Sequence, residues 1–182
     1  MTPRRIAIFV DGSNNYAATK QLDIEIDYNK IIQYWQQYGN VVGSYYFTAV
    51  KEYDKNVHDP LVKLLDHLSY NGWIVITKEA KQYEAKIKGN IDIELCVHAM
   101  ELREHIDEMV LFSGDGDYCE LVVAMQRKGV YVTVVSAQGI TLSDDLRRVC
   151  NTSLELNAID ILRKRGGPPA PEVPRLRRIA KL

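Results

Sequence analysis

Short apolar runs alternate along this chain with longer stretches in which apolar residues recur every three or four positions. The runs are RIAIFV (5–10), VVGSYYFTAV (41–50), WIVIT (73–77), EMVLFS (108–113) and VYVTVVS (130–136). Helical spacing covers 28–38, 57–70, 90–105, 118–128 and 143–150, and a last helix is expected at 157–163. Near-continuous apolar strands separated by helices indicate a parallel sheet covered on both faces, because crossover helices shield the sheet from water. The expected fold class is therefore α/β with three layers. Asn71-Gly72 and Lys128-Gly129 end helical patterns just before strands, where glycine serves as a helix C-terminus.

Composition narrows the class. With 182 residues, 46% hydrophobic and 26% charged, the chain can bury one good core and gives no reason to invoke two. No stretch reaches the roughly 20 apolar residues of a membrane span, and Met1 to Arg5 lead straight into a strand without a secretory apolar region. A soluble, cytoplasmic protein is expected. Cys96, Cys119 and Cys150 are odd in number and widely spaced, so neither a disulfide framework nor a Cys-x-x-Cys metal site is supported, and they read as core fillers.

After Arg165 the text becomes GGPPAPEVPRLRRIAKL, with four of the six prolines and little that builds a core. Residues 1–165 are read as the domain and 166–182 as a Pro-rich, basic, disordered tail, either a native extension or the stub of a longer protein. The net charge of -1 hides an asymmetry. Residues 163–182 hold seven of the 23 basic side chains and one of the 24 acidic ones, leaving 16 basic against 23 acidic in the body, a net -7. An acidic body with a basic tail suits a nucleic-acid enzyme whose metals offset its carboxylates and whose tail grips phosphate.

Four acids stand at element ends: Asp11 closes RIAIFVD, Asp92 opens a helix in NIDIELCVHAM, and Asp115 and Asp117 follow the MVLFS run. Ligands of open parallel sheets bind beyond the carboxyl ends of the strands, where strand order reverses. If the first strand and EMVLFS are neighbours there, Asp11 meets Asp115 and Asp117. Two acids in SGDGD exceed what one helix cap needs, and clustered carboxylates repel one another unless a cation or a proton is present. Asp92 is preferred over Glu94, which points to a different helix face.

Ser13 and Asn14, just after Asp11, are placed to orient water or phosphate. Carboxylate ligands without nearby His or Cys select Mg²⁺ or Mn²⁺ over Zn²⁺, and such ions serve phosphodiester cleavage. The four histidines do not cluster, and no Ser/His/Asp triad or phosphate-binding G-x-x-x-x-G-K-[ST] loop is present. Lys51, Lys55, Lys78, Lys81, Lys86 and Lys88, interleaved with Tyr53 and Tyr83, are candidate phosphate and base contacts beside the acids.

Three of these motifs, FVDGSN at 9–14, KGNIDIELCVHA at 88–99 and LFSGDGDY at 111–118, resemble in order and spacing an NYN domain of the LabA-like type, a branch of the PIN-like nucleases. The resemblance covers about residues 5–160. It implies a Rossmann-like parallel sheet of order 3-2-1-4-5 and Mg²⁺- or Mn²⁺-dependent cleavage of RNA, with single-stranded RNA the expected partner. Carried over by position, Asp11, Asp92, Asp115 and Asp117 become the metal-binding and catalytic acids, with Ser13, Asn14 and Ser113 as polar helpers. Many similar proteins carry a further RNA-binding module, so substrate choice here is expected to rest on a separate partner or on self-association.

Two other readings compete. Aspartyl phosphatases of haloacid-dehalogenase type also begin with a strand and Asp, but need a second Asp where this chain has Ser13. A non-catalytic RNA-binding or regulatory scaffold with the same fold is the main alternative. Deleting residues 166–182 is expected to weaken RNA affinity and flatten its salt dependence, read by titrating labelled RNA at several salt concentrations. Unchanged affinity would make the tail a bystander.

Overall fold

The computed structural model describes residues 2–50, 59–79, 81–83, 86–88, 91–137 and 139–164, with the backbone alone at 81–83, 86–88 and 164. Strand β1 (Arg5–Asp11) leads into helix α1 (Gly12–Leu22), a short strand β2 (Ile24–Ile26), α2 (Tyr28–Gln36), β3 (Asn40–Val50), α3 (Pro60–Tyr70) and β4 (Ile74–Glu79). Two short strands, β5 (Lys81–Tyr83) and β6 (Lys86–Lys88), pair antiparallel. The second half runs α4 (Asp92–Leu102), β7 (Glu108–Phe112), α5 (Cys119–Gln126), β8 (Tyr131–Ser136), α6 (Asp144–Val149), β9 (Thr152–Glu155) and β10 (Leu162–Lys164).

Six strands form one parallel sheet in the order β4-β3-β1-β7-β8-β9. Counted among the sheet's own members this is 3-2-1-4-5-6, the expected order with Thr152–Glu155 added at one edge. Alternate residues of each strand serve the two faces. Ala7, Phe9, Met109, Leu111, Val132 and Val134 join Leu95 and Ala99 of α4, Leu121, Val122 and Met125 of α5 and Leu146 of α6 in one core. Ile6, Ile8, Val10, Val110, Phe112 and Val135 join Ile31 and Trp35 of α2 and Leu68 of α3 in the other. Burial on both faces is why these strands read as unbroken apolar runs rather than as alternation.

Gly72 and Gly129 take φ values of +88° and +81°, the left-handed conformation that ends a helix and that a side chain disfavours. Cys96, Cys119 and Cys150 are free, partly buried thiols packed against the first core. No helix among the described residues is long and apolar enough to cross a membrane.

One expectation is corrected. Residues 157–163 do not form a helix: after a 3₁₀ turn at Leu156–Ala158 the chain extends, and β10 pairs antiparallel with β2. Ile159 and Ile161 are buried while Asp160 is exposed, a period of two that places both isoleucines in the second core. The Asp27 amide donates to the Ile161 carbonyl at 2.7 Å, and Arg163 pairs with Glu25 at 2.9 Å, so tertiary pairing overrides the helical composition.

At the carboxyl edge, β1 and β7 are held together past their last paired residues by Asn15. Its buried carboxamide donates to the Asp11 carbonyl at 2.8 Å and to the Phe112 carbonyl at 2.6 Å, tying the ends of both strands to the first turn of α1. Asn15→Ala removes both bonds from a site that excludes water. It is expected to destabilise the fold by about 1–3 kcal/mol, measured by urea denaturation. A loss within the error of the measurement would show that the strand ends need no such bridge.

Candidate metal centre

The four acids reach the carboxyl edge by different local routes. Asp11 ends β1 and caps α1, its Oδ1 accepting from the amides of Ser13 at 3.1 Å and Asn14 at 3.0 Å. An extended residue with an acceptor side chain is the ordinary start of a helix, so the turn that begins α1 also fixes this carboxylate. Asp92 is the first residue of α4, where Ile91 supplies no side-chain cap. Asp115 caps the 3₁₀ turn Gly116–Tyr118, accepting from the Asp117 amide at 3.0 Å. The capping explanation of SGDGD thus holds for Asp115 and leaves Asp117 without that role.

Asp92, Asp115 and Asp117 each offer a carboxylate oxygen, all within 4.8 Å of one another. Oxygens on opposite sides of a Mg²⁺ stand about 4.2 Å apart, from metal–oxygen distances of 2.0–2.1 Å, so this spacing is close to what one hard cation gathers. The donor set is all oxygen, which fits Mg²⁺ or Mn²⁺. Asp115 and Asp117 have no basic partner among the described residues. Asp11 lies outside the trio, buried behind it.

The polar helpers are wired to Asp11 and to the loop after β7. Ser113 Oγ donates to Asp11 Oδ2 at 3.0 Å and accepts from the Asp115 amide at 3.2 Å. Asn14 Oδ1 accepts from the Gly114 amide at 3.0 Å. Ser13 contributes its amide, and its residue is exposed beside Asp11. Gly114 is required by close approach, since a Cβ there would lie 2.2 Å from the Thr141 carbonyl oxygen.

Sequence reasoning missed Tyr118 and Asn15. Tyr118 is fully buried, and its hydroxyl donates to Asp92 Oδ1 at 2.9 Å and lies 3.5 Å from Asp11 Oδ2. Its place directly after GDGD was the available signal. Burial, then the charges of Asp11 and Asp92, push its phenol far above the ordinary range, so it stays a donor. Asp11 is raised by burial, against the lowering by Asn14 and Ser113. Asp92 is also raised by burial first, with Tyr118 opposing and Asp115, Asp117 and Glu94 adding repulsion.

Of the candidate phosphate contacts, Lys78 lies in β4 and pairs with Glu94 at 2.7 Å, which holds Glu94 below its usual range. Glu94 is therefore engaged away from the trio. Lys51, Lys55 and Tyr53, and the side chains of Lys81, Tyr83, Lys86 and Lys88, lie outside the described residues.

Comparison with known proteins agrees with this architecture. The NYN domain family model matches residues 5–157. The chain is 30% identical, over 182 residues and 94% of each protein, to the low amplitude and bright protein LabA of Synechococcus elongatus. It also resembles the crystal structure of a protein of unknown function from Vibrio parahaemolyticus, with a TM-score of 0.75 and 27% identity over 88% of this chain and 97% of that one.

The raised Asp11 carboxyl gives a test of sign. Its folded pKa lies above the unfolded value, so the folded state holds the extra proton between the two, and stability falls as pH rises through the folded pKa. Above that window the ionised group is a net destabiliser. Without added metal, Asp11→Asn is expected to melt higher than wild type at pH 7, by roughly 2–4 °C per kcal/mol relieved. The advantage should shrink as pH falls through the folded pKa and vanish by about pH 4, the range where the unfolded carboxyl is protonated as well. A lower melting temperature for the variant at pH 7 would show that the charged carboxylate is kept for its caps.

Proposed function

The chain belongs to the NYN domain family, and on that premise we propose that it is a metal-dependent ribonuclease hydrolysing phosphodiester bonds of single-stranded RNA in the cytoplasm, with residues 1–165 as the nuclease unit. The observation that carries this reading is the convergence of Asp92, Asp115 and Asp117 at the carboxyl edge where β1 and β7 end. These three, with Asp11 behind them, would hold Mg²⁺ or Mn²⁺. The bound ion would supply Lewis acidity at a phosphodiester oxygen and a water of lowered pKa.

The chain's own groups prepare the pocket for that chemistry. Asp115 and Asp117 are carried on a short turn pinned by Ser113 and by the Ser143 amide, which donates to the Gly114 carbonyl at 2.8 Å. Burial of Asp11 keeps water from its carboxylate on the core side, while the half-buried Asp92 and Asp115 and the exposed Asp117 would be open to a charged substrate. Positive charge for the RNA backbone is assigned to the lysines between residues 51 and 88 and to the basic tail, with a partner protein or a second copy completing substrate choice.

A non-catalytic RNA-binding scaffold is the second reading. It is favoured by the way Asp11 is fully hydrogen-bonded by the first turn of α1 and by Ser113, an arrangement satisfied without a cation. Incubating the protein with a mixed RNA pool and Mn²⁺ separates the two. Cleavage is expected in wild type and should fall roughly a hundredfold, about 2.7 kcal/mol of barrier, in Asp11→Asn and in Asp115→Asn. No cleavage across varied RNAs would favour the scaffold.

A further inference from the structure

The hydroxyl of Tyr118 has a position that neither packing nor turn formation explains. Its ring fills the core between α4 and α5, a task phenylalanine would perform equally well. The hydroxyl adds a polar atom to a site without solvent, and it is directed at two carboxylates: Asp92 Oδ1 at 2.9 Å and Asp11 Oδ2 at 3.5 Å. A phenol has one proton to donate, so the shorter contact is the stronger bond and Asp92 holds it. Asp11 Oδ2 receives its own short bond from Ser113 at 3.0 Å.

Asp92 reaches the edge by a different route from Asp11 and Asp115. Asp11 and Asp115 are fixed by backbone amides at their own turns, whereas Asp92 begins a helix whose preceding residue, Ile91, gives no side-chain cap. A carboxylate in a helix's first turn otherwise samples several rotamers toward water, and ordering it has an entropic cost. The hydroxyl of Tyr118, carried on a fully buried ring, restricts that freedom from the core side.

We propose that Tyr118 is a positioning residue that aims Asp92 into register with Asp115 and Asp117 and couples it to Asp11, so that the pocket is organised for a divalent cation before one binds. The proposal rests on the metal-site reading above. Groups that orient metal-binding carboxylates typically change metal affinity by about 10–100-fold when removed, although they never touch the ion.

The test is Mn²⁺ affinity on the full chain, measured by the loss of the free-ion electron paramagnetic resonance signal, for wild type, Tyr118→Phe, Asp11→Asn and the double variant. Tyr118→Phe is expected to weaken the Kd about 10–100-fold while the metal-free melting temperature shifts by only a few degrees. The double variant should lose less than the product of the two single losses, because the two groups act as one unit. Equal Kd values for wild type and Tyr118→Phe would overturn the proposal. So would an equal loss in Val122→Ala, which thins the same core and would reduce Tyr118 to packing. Strictly multiplicative losses would sever the link to Asp11. Failure of wild type itself to bind Mn²⁺ would instead bring down the metal-site reading, and this proposal with it.

Discussion

The structure depends on how two adjacent parallel strands are kept together at the edge where they must also part. β1 and β7 pair through Val10 and Phe112 and then diverge, β1 into α1 and β7 into the loop that carries Asp115 and Asp117. At such a reversal of strand order the sheet can no longer supply backbone partners, and the gap between the strand ends becomes a crevice. Asn15 bridges it with two short hydrogen bonds from one buried amide. A single side chain therefore ties the ends of both strands to the first turn of α1, which Asp11 caps. Asp11, Asn14 and Ser113 make their own hydrogen bonds around that junction.

The same junction concentrates negative charge where solvent is scarce. Asp11 and Asp92 both have their carboxyls raised, chiefly by burial, and each feels the charge of neighbouring acids. Hydrogen bonds from amides, Ser113 and Tyr118 offset part of this without supplying a positive charge. Such an arrangement spends stability that a pocket with a counter-charge in place would keep. The contrast at the opposite edge is instructive: Asp107 lies beside Arg5 at 2.8 Å and is held down at about 2, a carboxylate with its counter-charge in place.

Much of this was legible in the residues, and the failures are specific. The five long apolar runs became five of the six sheet strands, most plainly β1, β7 and β8, where burial on both faces leaves an unmistakable composition, and Gly72 and Gly129 marked helix ends because a left-handed turn favours glycine there. The nearness of Asp92, Asp115 and Asp117 was anticipated from their places at element ends and from SGDGD holding more carboxylates than a cap uses, whereas Asp11, expected among them, lies outside the trio. Strand β2 escaped notice since three residues give no periodicity, and β9 since its four residues are only partly buried. Residues 157–163 were misread because Ile159, Ile161 and Leu162 satisfy a helical and an extended pattern alike, and pairing with β2 decided between them. Asn15 was invisible for another reason: nothing local distinguishes an amide that bonds across the fold from one that meets water, and for Tyr118 only its place directly after GDGD offered a signal.

The antiparallel ribbon of β2 and β10 has a consequence for how the chain comes to be folded. Ile24 to Ile26 are made early in synthesis, yet their strand partners, Leu162 to Lys164, emerge from the ribosome only after the whole parallel sheet has been translated. Vectorial assembly can lay down β1, β3 and β4 in turn, but the flank of the second core to which Ile159 and Ile161 contribute stays incomplete until they arrive. The ribbon thus works as a closing latch, and a nascent chain stalled before it would present that flank to chaperones and proteases.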